Sequence, residues 1–356
     1  MKKWLWLLLL IPLFFLPQLA KPIFPKLIAR KIDAQVEIGS LQLSWLGPQR
    51  FQQIHWSRPE AKGTLEELTL FAPFWSFSGP LEIKNGSLSY EEGTIGPIQA
   101  KMEGEKIDLT VGGDFSLQTS FLYSDHGLNL TRPLSASLRL TPTISRWLLK
   151  DMNPLLITAL SSNHPIHLQI EPEEFFFPLP FSLRKLHIEK GILDLGQIQC
   201  QSGRSLGALI TLLKADPLNY AKQISAWFTP LKFRIENGQL HAQRMDILLD
   251  QKIHICTWGQ IDLIRDQLNM YVGLTADTLR RSFGIKNLPE SYVLKMPLRG
   301  TTKEPELMTG PAATKIATLM AVQIPKKGPL GKVIDVFSGP KEDKDVPPLT
   351  EPLPWK

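Results

Sequence analysis

Gly203-Arg204-Ser205-Leu206-Gly207 has the form G-x-S-x-G, the turn on which α/β-hydrolases raise a nucleophilic serine between a strand and a helix. It follows a strand-like run at 198–201 and precedes a helical one, and Asp216 and His241 stand downstream in the acid-then-histidine order. The hydrolase fold also needs a parallel sheet wound with helices ahead of the serine, whereas the residues before Ser205 read as hairpins. A chance match in a Gly/Ser-rich turn is therefore the better account. The seven histidines (His55, His126, His164, His167, His187, His241 and His254) are dispersed, none sits in H-E-x-x-H, and His164 with His167 has no third ligand nearby. There is no C-x-x-C, no P-loop and no G-x-G-x-x-G followed by an acidic residue, so no catalytic residue, metal or cofactor is expected. Cys200 and Cys256 are the only cysteines; they could pair in an oxidising compartment or serve as two small apolar residues in a sheet.

Apart from these motifs, the chain is organised by alternation. From 233 to 307 nearly every segment switches between apolar and polar residues with a period of two, as a strand does with one buried and one wet face. Leu268, Met270, Val272 and Leu274 fall on one face, with Asn269, Tyr271 and Gly273 on the other. Asn237-Gly238 is a hairpin dipeptide. Leu134, Ala136, Leu138 and Leu140 alternate in the same way, as does 166–170. The 29 prolines and 24 glycines with only 21% charged residues suit strands and turns. A net charge of +6 is scattered, with no basic block interleaved with aromatics beyond the N-terminus, so no nucleic-acid partner is expected. Glycine-led strands recur at Gly39, Gly86, Gly191 and Gly238, and the first and last pairs are each 47 residues apart, as in stacked β modules.

Residues 4–20 (WLWLLLLIPLFFLPQLA) are almost wholly apolar behind Lys2 and Lys3. At 1.5 Å per residue they reach about 25 Å, near the lower limit for crossing a bilayer. Gln18 spoils a small-x-small cleavage site ending at Ala20, which favours a retained anchor over residues 1–21 against a cleaved signal peptide. The positive-inside rule leaves the N-terminus cytoplasmic and the bulk of the chain across the membrane. Residues 22–35 read as a juxtamembrane amphipathic helix that either lies on headgroups or caps the first strand.

Helical spacing interrupts the strands near 143–161 and 205–228, the latter read as two short helices split at Asp216-Pro217; both are expected to cover the sheet, with core packing favoured over gating. Phe175, Phe176, Phe177 and Phe181 form an aromatic row broken by prolines, either a hydrophobic lip where lipid or membrane is met or a segment buried under helices. Residues 308–325 hold a possible helix, and 326–356, rich in proline and mixed charge, read as a disordered tail.

Several of these segments resemble the AsmA-like family, membrane-anchored β-rich proteins of the bacterial envelope. The resemblance rests on the opening "VEIGSLQLSW" from Val36, then "IENGQL" from Ile235, "GQIDL" from Gly259, a long amphipathic strand, a helical excursion and "PLRGT…EPEL" from Pro297. It covers 22–307 and supplies no catalytic residue. It implies a mainly β fold over 36–307: an elongated antiparallel curled sheet forming an open, taco-like groove, with a few inserted helices and an N-terminal transmembrane helix. The family is similar to bridge-like lipid-transfer proteins and is implicated in outer-membrane biogenesis. The expected function is a single-pass inner-membrane protein, mostly periplasmic, that binds or conducts membrane lipids or assists envelope assembly, alone, by self-association or with other envelope proteins. The alternative is a non-transporting β scaffold for assembly or adhesion. On this reading Leu134, Ala136, Leu138, Leu140, Leu268, Met270, Val272 and Leu274 line the groove, and Phe175, Phe176, Phe177 and Phe181 form its lip.

Overall fold

In the computed structural model the described residues are 25–26, 29–30, 34–58, 61–73, 79–90, 93–124, 126–201, 204–213, 223–286, 288–322, 345–349 and 353–355. The expected anchor lies outside them. Of the expected juxtamembrane helix, Pro25, Lys26, Ala29 and Arg30 are described and helical. Among the described residues no helix is long and apolar enough to cross a membrane. The protein is mainly β, antiparallel and unclosed, with few helices. It divides into two compact units at Leu138/Arg139, where the sequence reading ran one domain from 36 to 307.

In the first unit, alternating segments joined by short turns pair with their sequence neighbours. The strands are β1 (Gln35–Gln42), β2 (Gln49–Ser57), β3 (Ala61–Leu70), β4 (Leu81–Tyr90), β5 (Gly93–Glu103), β6 (Lys106–Gly113), β7 (Phe115–Ser124), β8 (Gly127–Leu130) and β9 (Leu134–Leu138). They form a meander from β1 to β7, after which β8 and β9 both pair with β7. No helix is present between β1 and β9 among the described residues. The sheet bends: β5 and β7 approach within the roughly 9.6 Å that separates second neighbours in a flat sheet. At the β5–β6 register shift between Ile95 and Ile98, Gly113, at φ +85°, comes so close to the Gly96 carbonyl that a side chain there would strike it.

In the second unit, residues 142–158 are short helical turns, followed by β10 (Ala159–Ser162), β11 (Ile166–Ile170), β12 (Phe177–Pro178), β13 (Ile188–Asp194) and β14 (Gln197–Cys200). Helix α1 (Arg204–Leu212) precedes β15 (Ile224–Phe228), β16 (Leu231–Glu236), β17 (Gln239–Leu249), β18 (Ile253–Asp262) and β19 (Gln267–Thr275). Helix α2 (Ala276–Phe283), β20 (Val293–Gly300), β21 (Pro305–Leu307) and α3 (Gly310–Val322) complete it. Strand β17 is the pivot. One edge pairs along its length with β18, and a meander continues through β19 and β20 to β21. The other edge forks, its first half pairing with β16 and its second with β15. The branches run on as β16–β13–β11 and β15–β14–β10.

Two helical expectations are corrected at their ends, because Ala159 opens β10 and Ile224, Ala226 and Phe228 are the buried side of β15. Ile224 and Phe228 are four apart, a spacing that satisfies a helix and a strand equally; buried Ala226 between them fits only the strand. Residues 214–222, which carry the expected break at Asp216-Pro217, lie outside the described set. The expected helix at 308–325 is present as α3, and Ala312, Ile316 and Leu319 form its buried stripe.

The expected disordered tail is also corrected in part. Residues 345–349 and 353–355 are seated on the second unit: Asp345 pairs with Lys295 at 3.3 Å, Val346 packs on the Cys256–Trp258–Val293 cluster, and Leu353 is buried. The tail's proline and charge content disguised these few anchoring residues. Gly273 makes room for that cluster, since a Cβ there would meet Val293 at 2.3 Å and the Cys256 sulfur at 2.8 Å.

Candidate functional site

Residues opposite one another in an antiparallel pair share a face, so the register of the first unit resolves its meander into apolar rows. One row crosses Ile38, Ile54, Leu65, Gly86, Ile98, Val111 and Leu117. The next crosses Leu41, Phe51, Leu68, Ile83, Ala100 and Leu109, and a third crosses Leu70, Leu81, Met102, Ile107 and Phe121. The opposite face carries Arg50, Glu82, Lys101 and Asp108, with ion pairs Lys84–Glu82 at 3.4 Å, Lys101–Glu103 at 2.6 Å and Lys106–Asp108 at 3.0 Å. Hydrogen bonds from Ser120 and then Lys106 hold the Asp108 carboxyl below its usual range. These exposed pairs stabilise little, but they identify the wet face.

Most side chains in the apolar rows are only half-buried, including Ile38, Leu65, Leu68, Ile83, Ile98, Leu109 and Phe121. Neighbours within the sheet cover their flanks, and no described helix of this unit lies on top. Seven strands at about 4.8 Å and eight or more residues at about 3.3 Å give a face of roughly 29 by 26 Å. Phe51, Ile54 and Val111 in these rows are buried, and the half-buried side chains around them leave part of this apolar face to solvent. The face is longer than the ~15 Å of one leaflet's hydrocarbon.

The sequence-predicted groove residues fall in two different settings. Ala136 and Leu138 lie opposite Leu117 and Phe115 and share the apolar face of the first unit, but both are buried, at 3% and 7% exposed, while Leu134 is half-buried. Leu140 is buried in the second unit. Leu268, Met270, Val272 and Leu274 do share one face, as the alternation requires, but they are 5%, 0%, 0% and 0% exposed. In register with Ile255, Leu294, Met296 and Leu298, they belong to a filled interior and offer no surface to a guest. Of the lip residues, Phe175 is buried, Phe176 and Phe177 are half-buried, and Phe181 is 57% exposed with its ring stacked on Phe177 at 5.3 Å.

A cavity of about 1090 Å³ lies in the second unit, lined by Trp227, His254, Arg280, Tyr292, Pro348 and Trp355 among others. At its edge a buried polar cluster joins β17 to β18. Arg244 donates to both Asp246 oxygens at 2.9 Å, His254 Nε2 lies 2.8 Å from Asp246 Oδ1, and Thr229 accepts from the Asp246 amide at 2.8 Å. Burial opposes ionisation of Asp246, but the hydrogen bonds from His254 and Arg244 outweigh it and hold the carboxyl below its ordinary value. Arg244 also donates to the Pro347 carbonyl at 3.1 Å, and Trp355 meets His254 edge-on at 5.5 Å, so the tail is read by this cluster. Sequence reasoning missed it; Arg244 and Asp246 share a strand face two residues apart, and the β17–β18 register brings His254 beside them. Cys256, directly across from Asp246, supplies no thiolate, because burial pushes its thiol up to about 12. Cys200 is buried and likewise raised to about 12, and both cysteines are free.

Ser205 of the G-x-S-x-G motif is the second residue of α1, but its side chain and Asp216 lie outside the described set. The strand before it, β14, is paired antiparallel on both sides, which is not the hydrolase setting. Comparisons of the chain with known protein families, with curated proteins and with solved structures find no match.

Proposed function

We propose that the chain is an AsmA-like envelope protein whose first unit holds lipid on its apolar face. On this reading 1–21 is the inner-membrane anchor, the remainder is periplasmic, and the bent sheet is the short trough of a protein that binds or conducts lipid, or assists outer-membrane biogenesis. The observation that carries the proposal is the contrast between the units. The interior of the second is filled by its own side chains, while most side chains in the apolar rows of the first are only half-buried, with a charged face behind them. Each methylene of an acyl chain laid along those rows is stabilised by up to about 0.8 kcal/mol. Such a face taking up one or two chains needs no catalytic group.

A test is lipid retained by the full-length chain extracted into polymer-bounded discs, then washed and delipidated stepwise, with mass spectrometry on the tightly held fraction. Wild-type protein is expected to keep phospholipid that Ile83→Lys with Leu109→Lys releases, since each lysine sets a charge among the rows. Equal retention by wild type and variant would remove the proposal. The packed second unit favours a scaffold role for that part of the molecule. If the apolar face of the first unit were covered by a partner protein, the scaffold reading would extend to the whole chain.

A further inference from the structure

Against the expectation of no metal site, three side chains of the second unit bring potential ligand atoms together within the reach of one cation. His187 precedes β13 and Glu189 lies within it, two residues on, so both point to the same side of the strand. Phe176 and His187 exchange backbone hydrogen bonds of 2.9 Å in each direction, and this bridge brings Glu174, two residues before Phe176, over the same spot. His187 Nε2 lies 3.6 Å from Glu174 Oε2 and 3.8 Å from Glu189 Oε2. The three ligand atoms all fall within 4.8 Å of one another.

Those separations are too long for hydrogen bonds, which run at about 2.7–3.2 Å. They are close to what two ligands of one ion require: donors at about 2.0–2.2 Å from a tetrahedral centre sit roughly 3.3–3.6 Å apart. Nε2 itself is shielded from solvent and has no hydrogen-bond partner, an orphan that points at two carboxylates without reaching either. Two carboxylates facing each other across an unpartnered imidazole nitrogen call for a cation between them.

We propose that His187, Glu174 and Glu189 bind a borderline divalent cation, Zn²⁺ foremost. An imidazole with two carboxylates suits Zn²⁺, whereas Mg²⁺ and Ca²⁺ prefer all-oxygen sites. Glu174 is exposed, so the ion keeps an open position toward solvent. Bound there, it ties the segment carrying Phe175, Phe177 and Phe181 to β13 and fixes where the exposed Phe181 ring stands.

The test is titration of the full-length, untagged and chelator-stripped chain with Zn²⁺ by calorimetry, and with Co²⁺ by visible absorption. The site predicts one saturable ion per chain, with Co²⁺ d–d bands of a nitrogen-containing site. His187→Gln and, separately, Glu189→Gln should each weaken binding by at least about tenfold, the lower range seen even for groups that only orient metal ligands. Glu189→Gln is nearly isosteric, so the proposal stays falsifiable if the histidine variant misfolds. No saturable Zn²⁺ binding below millimolar, or binding unchanged in Glu189→Gln, would overturn it and leave His187 as a loosely ion-paired side chain.

Discussion

Asp246 is 1% exposed and holds two partners, the Arg244 guanidinium and the His254 ring, which are themselves largely buried. Removing one member of such a group strands the others, so Asp246→Asn should cost about 3–5 kcal/mol. The pH dependence follows from the direction of its shift. The folded carboxyl lies below its ordinary value of 3.8, so its contribution is present at pH values above that and is lost as pH falls through the folded pKa. Denaturant melts of wild type and Asp246→Asn should therefore differ most at neutral pH and converge as pH falls below about 4. A gap that stays constant down to pH 2 would contradict the assignment. Cysteine chemistry was legible as undecided: two cysteines in strands allowed a disulfide or a pair of small apolar residues, and burial with both thiols free decides for the second.

At the scale of elements, period-two alternation announced the strands within 233–307 and those near 134–140 and 166–170, and even the correct faces, such as Leu268, Met270, Val272 and Leu274 on one side of β19; the strands between 93 and 130 were not singled out by it. It failed where helix and strand share a spacing, as at Ile224 and Phe228. It also said nothing about whether a face is filled, because that depends on elements distant in sequence: α1 packs on β21 and α3 on β20, and the forked edge of β17 supplies further buried strands. The same limit hid the tail, whose hold comes from a handful of residues in a polar context. Truncation before Asp345 would remove buried Leu353, the Val346 contact and the Trp355–His254 contact, a loss of about 2 kcal/mol if half the usual burial energy is realised. In a unit of this size that corresponds to a Tm lowered by roughly 4–8 °C in calorimetry. An unchanged Tm would mean that the tail rests on the unit without supporting it.

At the scale of the molecule, the two units use the same strand grammar to different ends. The second converts its apolar face into a solid core, of which Met245, Ile255, Met270, Val272 and Met296 are fully buried members. The first leaves most side chains in its apolar rows only half-buried. A folded chain keeps such an area open only at a cost of about 25 cal/mol per Å² unless something covers it, and a lipid acyl chain is the cover proposed for it. The most direct measurement is photocrosslinking in living cells, with a photoreactive residue placed singly at Ile83 or Leu109 on the open rows, at Lys84 or Thr110 on the wet side, and at Val272 in the filled core. The account predicts lipid adducts, identified by mass spectrometry, from Ile83 and Leu109 and none from the other three; adducts to protein alone, or none at either open-row position, would contradict it.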